Sequence, residues 1–189
     1  MSTGPTLIMI RGVPGSGKSY LAAGLQKAIG KEKATMLDPD KIDKTSEEYR
    51  IHSEALTKDG VDEKFHPYRF LRARAYGAIT AHKIVIWNQA FIDFEGFKKT
   101  VDNLQAFATE HDTKLPTLVV EVEVGGHIAK ARVADRAKQG GHDVPEEAFD
   151  RFIEQYRSFS EQGYDIVTIN GEDDGAKSVA VVQKALAAL

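Results

Sequence analysis

One short stretch of the sequence decides the fold: Gly12-Val13-Pro14-Gly15-Ser16-Gly17-Lys18-Ser19. It fits the pattern G-x-x-x-x-G-K-[ST], the phosphate-cradling P-loop, at each fixed position. Glycine is needed because the backbone curls tightly and turns successive N–H groups towards an anionic phosphate, where a Cβ would interfere. Lys18 is then placed to reach the β- and γ-phosphates, and the Ser19 hydroxyl to bind Mg²⁺. The motif predicts a site for a nucleoside triphosphate.

The flanking sequence supports this interpretation over that of a glycine-rich turn that binds nothing. Residues 6–10 form an apolar run, which is typical of a buried parallel strand. Residues 19–29 carry apolar side chains at positions 21, 22, 25, 28 and 29, which is helical spacing. A strand, a glycine loop and a helix together aim a helix N-terminus at a phosphate. Tyr20, in the first turn of that helix, is expected to contribute to the same nucleotide site.

The composition of the chain limits the remaining possibilities. The 189 residues are enough for one well-buried domain, and the net charge of −3 argues against broad electrostatic binding of nucleic acid. The absence of cysteine excludes disulfides, thiolate metal sites and cysteine nucleophiles. With neither a leader-like N-terminus nor an apolar run of about 18 residues, we expect a cytoplasmic protein with no membrane span.

Strands and helices are predicted to alternate along the chain. Strands are expected at 6–10, 34–37, 83–87, 118–124 and 164–169, and helices at 19–29, 68–82, 94–111, 128–139, 145–159 and 176–189. The polar segment 41–65 is expected to hold short surface helices, and the acidic alternation late in 118–124 predicts a solvent-exposed end or face. The pattern predicts a single domain, 1–189, with a three-layer α-β-α P-loop NTPase fold and a five-stranded parallel sheet.

In such a fold the ligand crevice lies beyond the carboxyl ends of the strands. That rule selects Asp38 and Asp40 after the second strand, Asn88 and Gln89 after the third, and Asn170 after the fifth. Asp40 is the candidate general base beside the γ-phosphate, and Asp38 is a candidate for supporting Mg²⁺ or the substrate. The alternative is an ordinary turn in which Asp40 caps a short helix.

Amides follow the third strand at the point where P-loop enzymes often carry an acidic residue for Mg²⁺. Asn88 and Gln89 can hydrogen-bond a sugar or a phosphate but cannot act as a base, which indicates contact with substrate. Trp87 is interpreted as a core residue or as a stacking wall.

Arg132 and Arg136 lie four residues apart on one predicted helix, so both project from one face. Gly140-Gly141 and a second helix after Pro145, which carries Arg151, follow. The arrangement predicts a helical lid, about residues 128–158, whose arginines neutralise charge on the transferring phosphoryl group and exclude water. A solvated helix face is the alternative.

A second basic cluster, Arg69, Arg72 and Arg74, follows His66-Pro67-Tyr68. Arg69 and Arg72 are candidates for holding an anionic acceptor through bidentate contacts, and Arg74 is expected to point outwards. An exposed helix face paired with surface carboxylates explains the same residues equally well. His66 is interpreted as structural, and residues 41–67 as an insert on the acceptor side.

Together these motifs resemble the zeta-toxin-like P-loop kinases, within the AAA_33-type ATP-binding kinases that include polynucleotide kinases. The resemblance rests on Gly12–Ser19, Asp40, His66-Pro67-Tyr68, and Arg132 and Arg136 with Gly140-Gly141-His142-Asp143-Val144-Pro145. It implies a parallel five-stranded core, ATP and Mg²⁺, a general base at Asp40 and a phosphate clamp of lid arginines. Zeta toxins phosphorylate a hydroxyl of UDP-N-acetylglucosamine, and the resemblance allows for an antitoxin-like protein partner.

Two departures lie on the acceptor side: the inserted segment between Asp40 and His66, and the amides Asn88 and Gln89 in place of an acid. The expected function is an ATP-dependent phosphotransferase acting on an alcohol group of a small metabolite, for which a nucleotide sugar is one candidate. One alternative is a polynucleotide 5′-hydroxyl kinase, against which stand the negative net charge and the lack of aromatic residues interleaved with basic ones. The other is an ATP-binding NTPase switch that controls a protein partner.

Overall fold

A computed structural model describes residues 4–140 and 144–189. The strands are β1 (Leu7–Arg11), β2 (Ala34–Leu37), β3 (Ile84–Asn88), β4 (Thr117–Glu123) and β5 (Asp165–Asn170). The helices are α1 (Lys18–Ile29), α2 (Glu47–Lys58), α3 (His66–Thr80), α4 (Phe94–Glu110), α5 (Gly126–Lys138), α6 (Glu146–Gln155) and α7 (Gly175–Leu186). Short 3₁₀ turns lie at Pro39–Lys41, Glu63–Phe65 and Ser160–Gln162. Across these ranges no helix is long and apolar enough to cross a membrane.

In the described residues the strands form one parallel sheet in the order β2-β3-β1-β4-β5. β1 lies in the centre, and its apolar run is buried on both faces, as a central parallel strand requires. Ile10 near the end of β1 aligns with Asn88 of β3 and Val120 of β4. The carboxyl ends of the strands therefore meet at one edge of the sheet, as the predicted α/β fold requires, and that prediction is confirmed.

Helices cover both faces of the sheet. Helices α1 and α7 pack on one face through an apolar cluster that includes Leu25 and Val182. Helices α3 and α4 pack on the other, through a cluster that includes Leu71 and Val101. A third, smaller cluster joins α5 and α6 to the P-loop, because Ala129, Val133 and Phe149 pack on Val13. The sheet thus holds the loop, while the α5–α6 pair lies directly against it.

Two predicted segments differ from the structure. Segment 41–65 contains α2, a twelve-residue helix capped by Ser46, rather than only short helices. Its Tyr49 packs edge-on against Phe70 of α3, with ring centroids 5.2 Å apart, so the helix contributes to the core. The helix predicted at 145–159 ends at Gln155. Beyond it, the Phe159 amide donates to the Glu121 carboxylate, which draws the chain out of helical geometry.

The acidic alternation of β4 produces an exposed strand end at Glu123 but no exposed face, because Glu121 is fully buried. Its carboxylate pairs with the equally buried Arg11 of β1, and it accepts hydrogen bonds from Ser158 Oγ at 2.6 Å and Phe159 N at 2.8 Å. Arg11 also donates to the Phe91 carbonyl at 3.1 and 3.0 Å and lies over the Phe159 ring. Only Glu123, at the strand end, is exposed. A buried ion pair thus ties β1 and β4 to two loops.

Candidate functional site

A cavity of about 1040 Å³ opens at the carboxyl ends of the strands. The P-loop, the ends of β2 and β3, one side of α3, one side of α4, and the α5–α6 pair all contribute to its walls. It brings together the predicted residues Pro14, Gly15, Gly17, Lys18, Ser19, Tyr20, Asp38, Asp40, Arg69, Arg72, Asn88, Gln89, Arg132 and Arg136. Its volume is at the upper end of the range for small-molecule pockets.

The P-loop owes its shape to close packing on its outer side. A Cβ on Gly12 would lie 2.4 Å from the Val122 carbonyl oxygen of β4. Gly15 has φ +79°, and its Cβ would lie 2.3 Å from the Ala129 carbonyl oxygen of α5. Any side chain at these two positions would push the loop away from β4 and α5. Gly12, Val13 and Ser16 do not line the cavity and form the buried back of the loop.

Lys18 is held ready for an anion. Its ammonium donates to the Val13 carbonyl at 2.8 Å, so it curls back over the loop. Removal from water lowers the pKa of Lys18 to about 8; Asp40 and Asp38 oppose the shift, and Arg136 adds to it. A phosphate beside Lys18 would favour its charged form and raise that pKa again.

Ser19, Asp38 and Asn88 form a hydrogen-bonded group next to Lys18. The Asn88 amide Nδ2 donates to Ser19 Oγ at 3.0 Å and to Asp38 Oδ2 at 2.7 Å, which brings hydroxyl and carboxylate to one place. Asn88 Oδ1 is buried and has no hydrogen-bond partner within the described residues. This buried oxygen can therefore accept a hydrogen bond from a ligand or a water.

These residues fit Mg²⁺. The ion is commonly held by one or two carboxylates together with substrate phosphates, and it keeps several of its waters. Ser19 Oγ and Asp38 Oδ2 are suitable oxygen ligands, and a metal-bound water would satisfy Asn88 Oδ1. The described ranges contain no group of three or more His, Cys, Asp or Glu side chains that suits a metal.

Asp40 has a different environment from Asp38. Asp38 is buried and caps the 3₁₀ turn, because its Oδ1 accepts from the Asp40 amide at 3.0 Å. Asp40 itself is exposed, lines the cavity, and its carboxylate accepts no hydrogen bond from any described residue. The turn is thus capped by Asp38, and the Asp40 carboxylate is available to a ligand.

Arg132 and Arg136 of α5 both line the cavity, and the same helix packs on the P-loop through Ala129. Arg132 Nη1 donates to the Gly171 carbonyl at 3.0 Å and to the Gly15 carbonyl at 3.4 Å, so it links the P-loop to the loop after β5. Val144, Pro145, Ala148 and Phe152 extend this wall along α6. Gly141, His142 and Asp143 of the predicted motif lie outside the described residues.

The opposite wall combines residues that the sequence singled out with others, mainly of α4, that it did not. Arg69 and Arg72 of α3 are joined there by Lys99, Thr100 and Asn103 of α4, and by the aromatic side chains of Phe65, Tyr68 and Phe91. The polar residues of α4 recur at helical spacing opposite its apolar stripe, a pattern that equally fits a solvated face. Gln89 also lines this wall, and its Oε1 accepts from Trp87 Nε1 at 3.1 Å. Trp87 is buried, as the predicted core role requires, and it borders the cavity.

Some predicted residues lie outside the cavity. Asn170 uses its side chain to accept from the Glu172 amide at 3.0 Å within its own turn. Its neighbour Gly171 instead contacts the P-loop, since a Cβ there would lie 2.1 Å from the Ser16 carbonyl oxygen. Arg74 is exposed above the Phe70 ring, as expected of an outward residue. His66 is buried with Nδ1 against Ser53 Oγ and Nε2 against the Val61 carbonyl, which fits a structural role.

A P-loop at the centre of a five-stranded parallel sheet, with helices on both faces, defines the P-loop kinase-like α/β fold. The chain belongs to the AAA_33 family, described as an AAA domain, whose match spans residues 7–159. Comparison with curated proteins found no significant match.

Solved structures share the fold over nearly the whole chain. A Sinorhizobium meliloti gluconokinase is 16% identical, with 99% of this chain and 94% of that chain aligned and a TM-score of 0.58. A deoxyadenosine kinase from M. mycoides is 15% identical, with 97% of this chain and 99% of that chain aligned and a TM-score of 0.55. Chaetomium thermophilum Kti12, solved with ADP-AlF3, is 19% identical, with 96% of this chain and 98% of that chain aligned and a TM-score of 0.60. At these identities the similarity shows the fold.

Proposed function

We propose that the protein is an ATP-dependent phosphotransferase acting on an alcohol group of a small metabolite. The observation that carries the proposal is the free Asp40 carboxylate, which lines the same cavity as Lys18 and influences its pKa. A hydrolysis site needs room only for water, whereas this cavity continues past Asp40 to a second polar wall formed by α3 and α4. The gluconokinase and the deoxyadenosine kinase show that the fold accommodates kinases, which supports the proposal.

Each residue has a role that follows from its position. The P-loop amides and Lys18 hold the β- and γ-phosphates of ATP, and Ser19 with Asp38 would hold Mg²⁺. The bound ion would neutralise charge on the phosphate oxygens during transfer. Asn88 positions Ser19 and Asp38 through the single amide nitrogen that bonds both.

Asp40 orients the acceptor hydroxyl and accepts its proton as the hydroxyl oxygen forms a bond to the γ-phosphorus. The bond from that phosphorus to the β–γ bridging oxygen breaks, and ADP leaves with the electron pair. Arg132 and Arg136 stabilise the charge on the transferring group, and closure of the α5–α6 lid, about residues 128–158, excludes water. Tyr20 and the loop at Asn170 and Gly171 are proposed to border the nucleotide.

The zeta-toxin-like motifs support a nucleotide sugar as one candidate acceptor and an antitoxin-like protein as a partner, both within this proposal. A cytoplasmic location follows from the proposed use of ATP and Mg²⁺. A polynucleotide 5′-hydroxyl is the alternative acceptor, and an NTPase switch is the alternative function. The open acceptor wall favours transfer to a metabolite over a switch, which needs no such wall.

The destination of labelled γ-phosphate tests the proposal. The protein is incubated with γ-labelled ATP and Mg²⁺, in one tube with a metabolite extract that includes nucleotide sugars and in another with a 5′-hydroxyl oligonucleotide. Lys18→Ala, which loses the phosphate-binding cation, is the control. We expect label on a small molecule and none with Lys18→Ala. Label on the oligonucleotide would support the alternative acceptor, and free phosphate alone in both tubes would support the switch.

A further inference from the structure

The wall of the cavity opposite the P-loop carries an excess of positive charge. Arg69 and Arg72 of α3 and Lys99 of α4 line it, and within the described residues none of the three makes an ion pair. The chain has 28 acidic residues, so an unpaired cluster of this size is not explained by a shortage of carboxylates.

Asp93 of the cavity lining makes no ion pair with the cluster. Asp93 lines the cavity, but its carboxylate caps α4 by accepting from the amides of Glu95 at 3.3 Å and Gly96 at 2.8 Å. Arg72 is half-buried, and burial lowers the pKa of its guanidinium; Tyr76 opposes this shift and the nearby Arg69 adds to it. The two arginines thus repel each other in the free protein, and a bound anion would relieve this repulsion.

We propose that this wall binds the phosphate group of the acceptor, so that the acceptor is an already phosphorylated metabolite whose free hydroxyl lies at Asp40. The inference rests on the proposed function, since only a transferase needs an acceptor. Two guanidinium groups and an ammonium match a phosphate better than a carboxylate, because phosphate carries about two negative charges and three acceptor oxygens.

The rest of the wall suits the remainder of such a molecule. Phe65 and Tyr68 line the cavity with about half of each side chain exposed, 49% and 45%, and the Lys64 ammonium lies 5.0 Å from the centre of the Phe65 ring. They offer an apolar surface to a sugar or a base. Thr100, Asn103 and Gln89 supply hydrogen-bonding groups for hydroxyls. A cationic end and an aromatic rim on one wall fit a phosphorylated ring compound.

Binding to this wall can be measured apart from catalysis when the P-loop is filled. The full chain is saturated with Mg²⁺ and a non-hydrolysable ATP analogue and then titrated with inorganic phosphate or glucose 6-phosphate at constant ionic strength. D-gluconate and D-glucose serve as carboxylate and neutral probes. The fluorescence of Trp87, the single tryptophan and a lining residue of the cavity, reports binding.

We expect saturable binding of both phosphates, weakened about tenfold or more by Arg72→Gln or Arg69→Gln, since each loses charged hydrogen bonds. Arg74→Gln is the matched control: it lies on the same helix, does not line this cavity, and should bind both phosphates as the wild type does. Equal phosphate binding by Arg72→Gln and Arg74→Gln, or tighter binding of gluconate than of phosphate, would overturn the inference.

The two proposals fail in different ways. Saturable phosphate binding lost in Arg72→Gln, together with γ-label found only as free phosphate, would leave the anion site standing and remove the transferase. Transfer of label to a neutral metabolite, together with no saturable phosphate binding, would support the transferase and remove the anion site.

Discussion

Glu121→Ala removes one partner of a fully buried ion pair, and its consequences can be worked out contact by contact. The substitution leaves three donors without their acceptor: the Arg11 guanidinium, the Ser158 hydroxyl and the Phe159 amide. Arg11 keeps its two bonds to the Phe91 carbonyl and its position over the Phe159 ring, but its charge stays buried without a counter-charge. Phe91 has a φ of +45°, which is unfavourable for a residue other than glycine, so its backbone conformation depends on contacts such as the two Arg11 hydrogen bonds.

Loss of one partner of a buried pair costs about 3–5 kcal/mol, a large part of the total stability of a domain. For a protein of this size we expect the melting temperature to fall by about 6–20 °C. Glu121→Gln should cost less, because an amide oxygen at the position of Oε1 still accepts from Arg11 and Phe159, two of the three donors. The double variant Arg11→Met/Glu121→Leu should be more stable than Glu121→Ala, since no charge then remains buried.

Urea denaturation and thermal melting of these variants measure the effect. Asp102→Ala, which breaks the exposed pair with Lys98 on α4, is the control and should unfold at the wild-type temperature within error. A loss below about 1 kcal/mol for Glu121→Ala would refute the reasoning, as would a double variant less stable than Glu121→Ala.

Three further predictions concern the nucleotide side. Burial lowers the pKa of the Lys18 ammonium to about 8 in the free protein, and bound phosphate raises it again, so ADP affinity should fall as the pH rises through about 8. A titration series in which Lys18→Arg shows the same decline would contradict this. Gly171→Ala places a Cβ against the Ser16 carbonyl and should lower the free energy of unfolding, measured in urea, by about 1–3 kcal/mol. Gly77→Ala in α3, with open space around it, should not lower it, and equal effects of the two substitutions would argue against the packing of Gly171 on the P-loop. Asn88→Leu should reduce the gain in ADP affinity that Mg²⁺ provides, while ADP binding without the metal stays intact, as measured by calorimetry. If Mg²⁺ increases the ADP affinity of Asn88→Leu as much as that of the wild type, Asn88 does not support the metal site.

Much of the fold could be predicted because its determinants are local. The P-loop, the apolar strands and the turns between them each occupy a few adjacent residues, and the strand bounds differ from prediction by about one residue. The rule that the carboxyl ends of parallel strands meet at one edge also selects both Asp38 and Asn88, whose side chains share a hydrogen bond.

The missed features depend on partners that are distant in the sequence. The alternating pattern of β4 predicted an exposed end or face, and nothing near Glu121 shows that Arg11, 110 positions away, lies beside it and pairs with it in the core. The polar side of α4 fits a solvated surface equally well, and only its packing beside α3 places Lys99 in the cavity. The strand-end rule selects Asn170, whereas the backbone of the next residue, Gly171, makes the contact with the P-loop, which the rule does not resolve.

The most direct test of the central claim is the rate of phosphoryl transfer by Asp40→Asn, measured with γ-labelled ATP and metabolite extract beside its affinity for ATP. Asparagine keeps the size of the side chain and removes the base. We predict that transfer falls by about 100-fold or more while ATP binding is retained, because Asp40 acts on the acceptor. Transfer at the wild-type rate by Asp40→Asn would contradict the account.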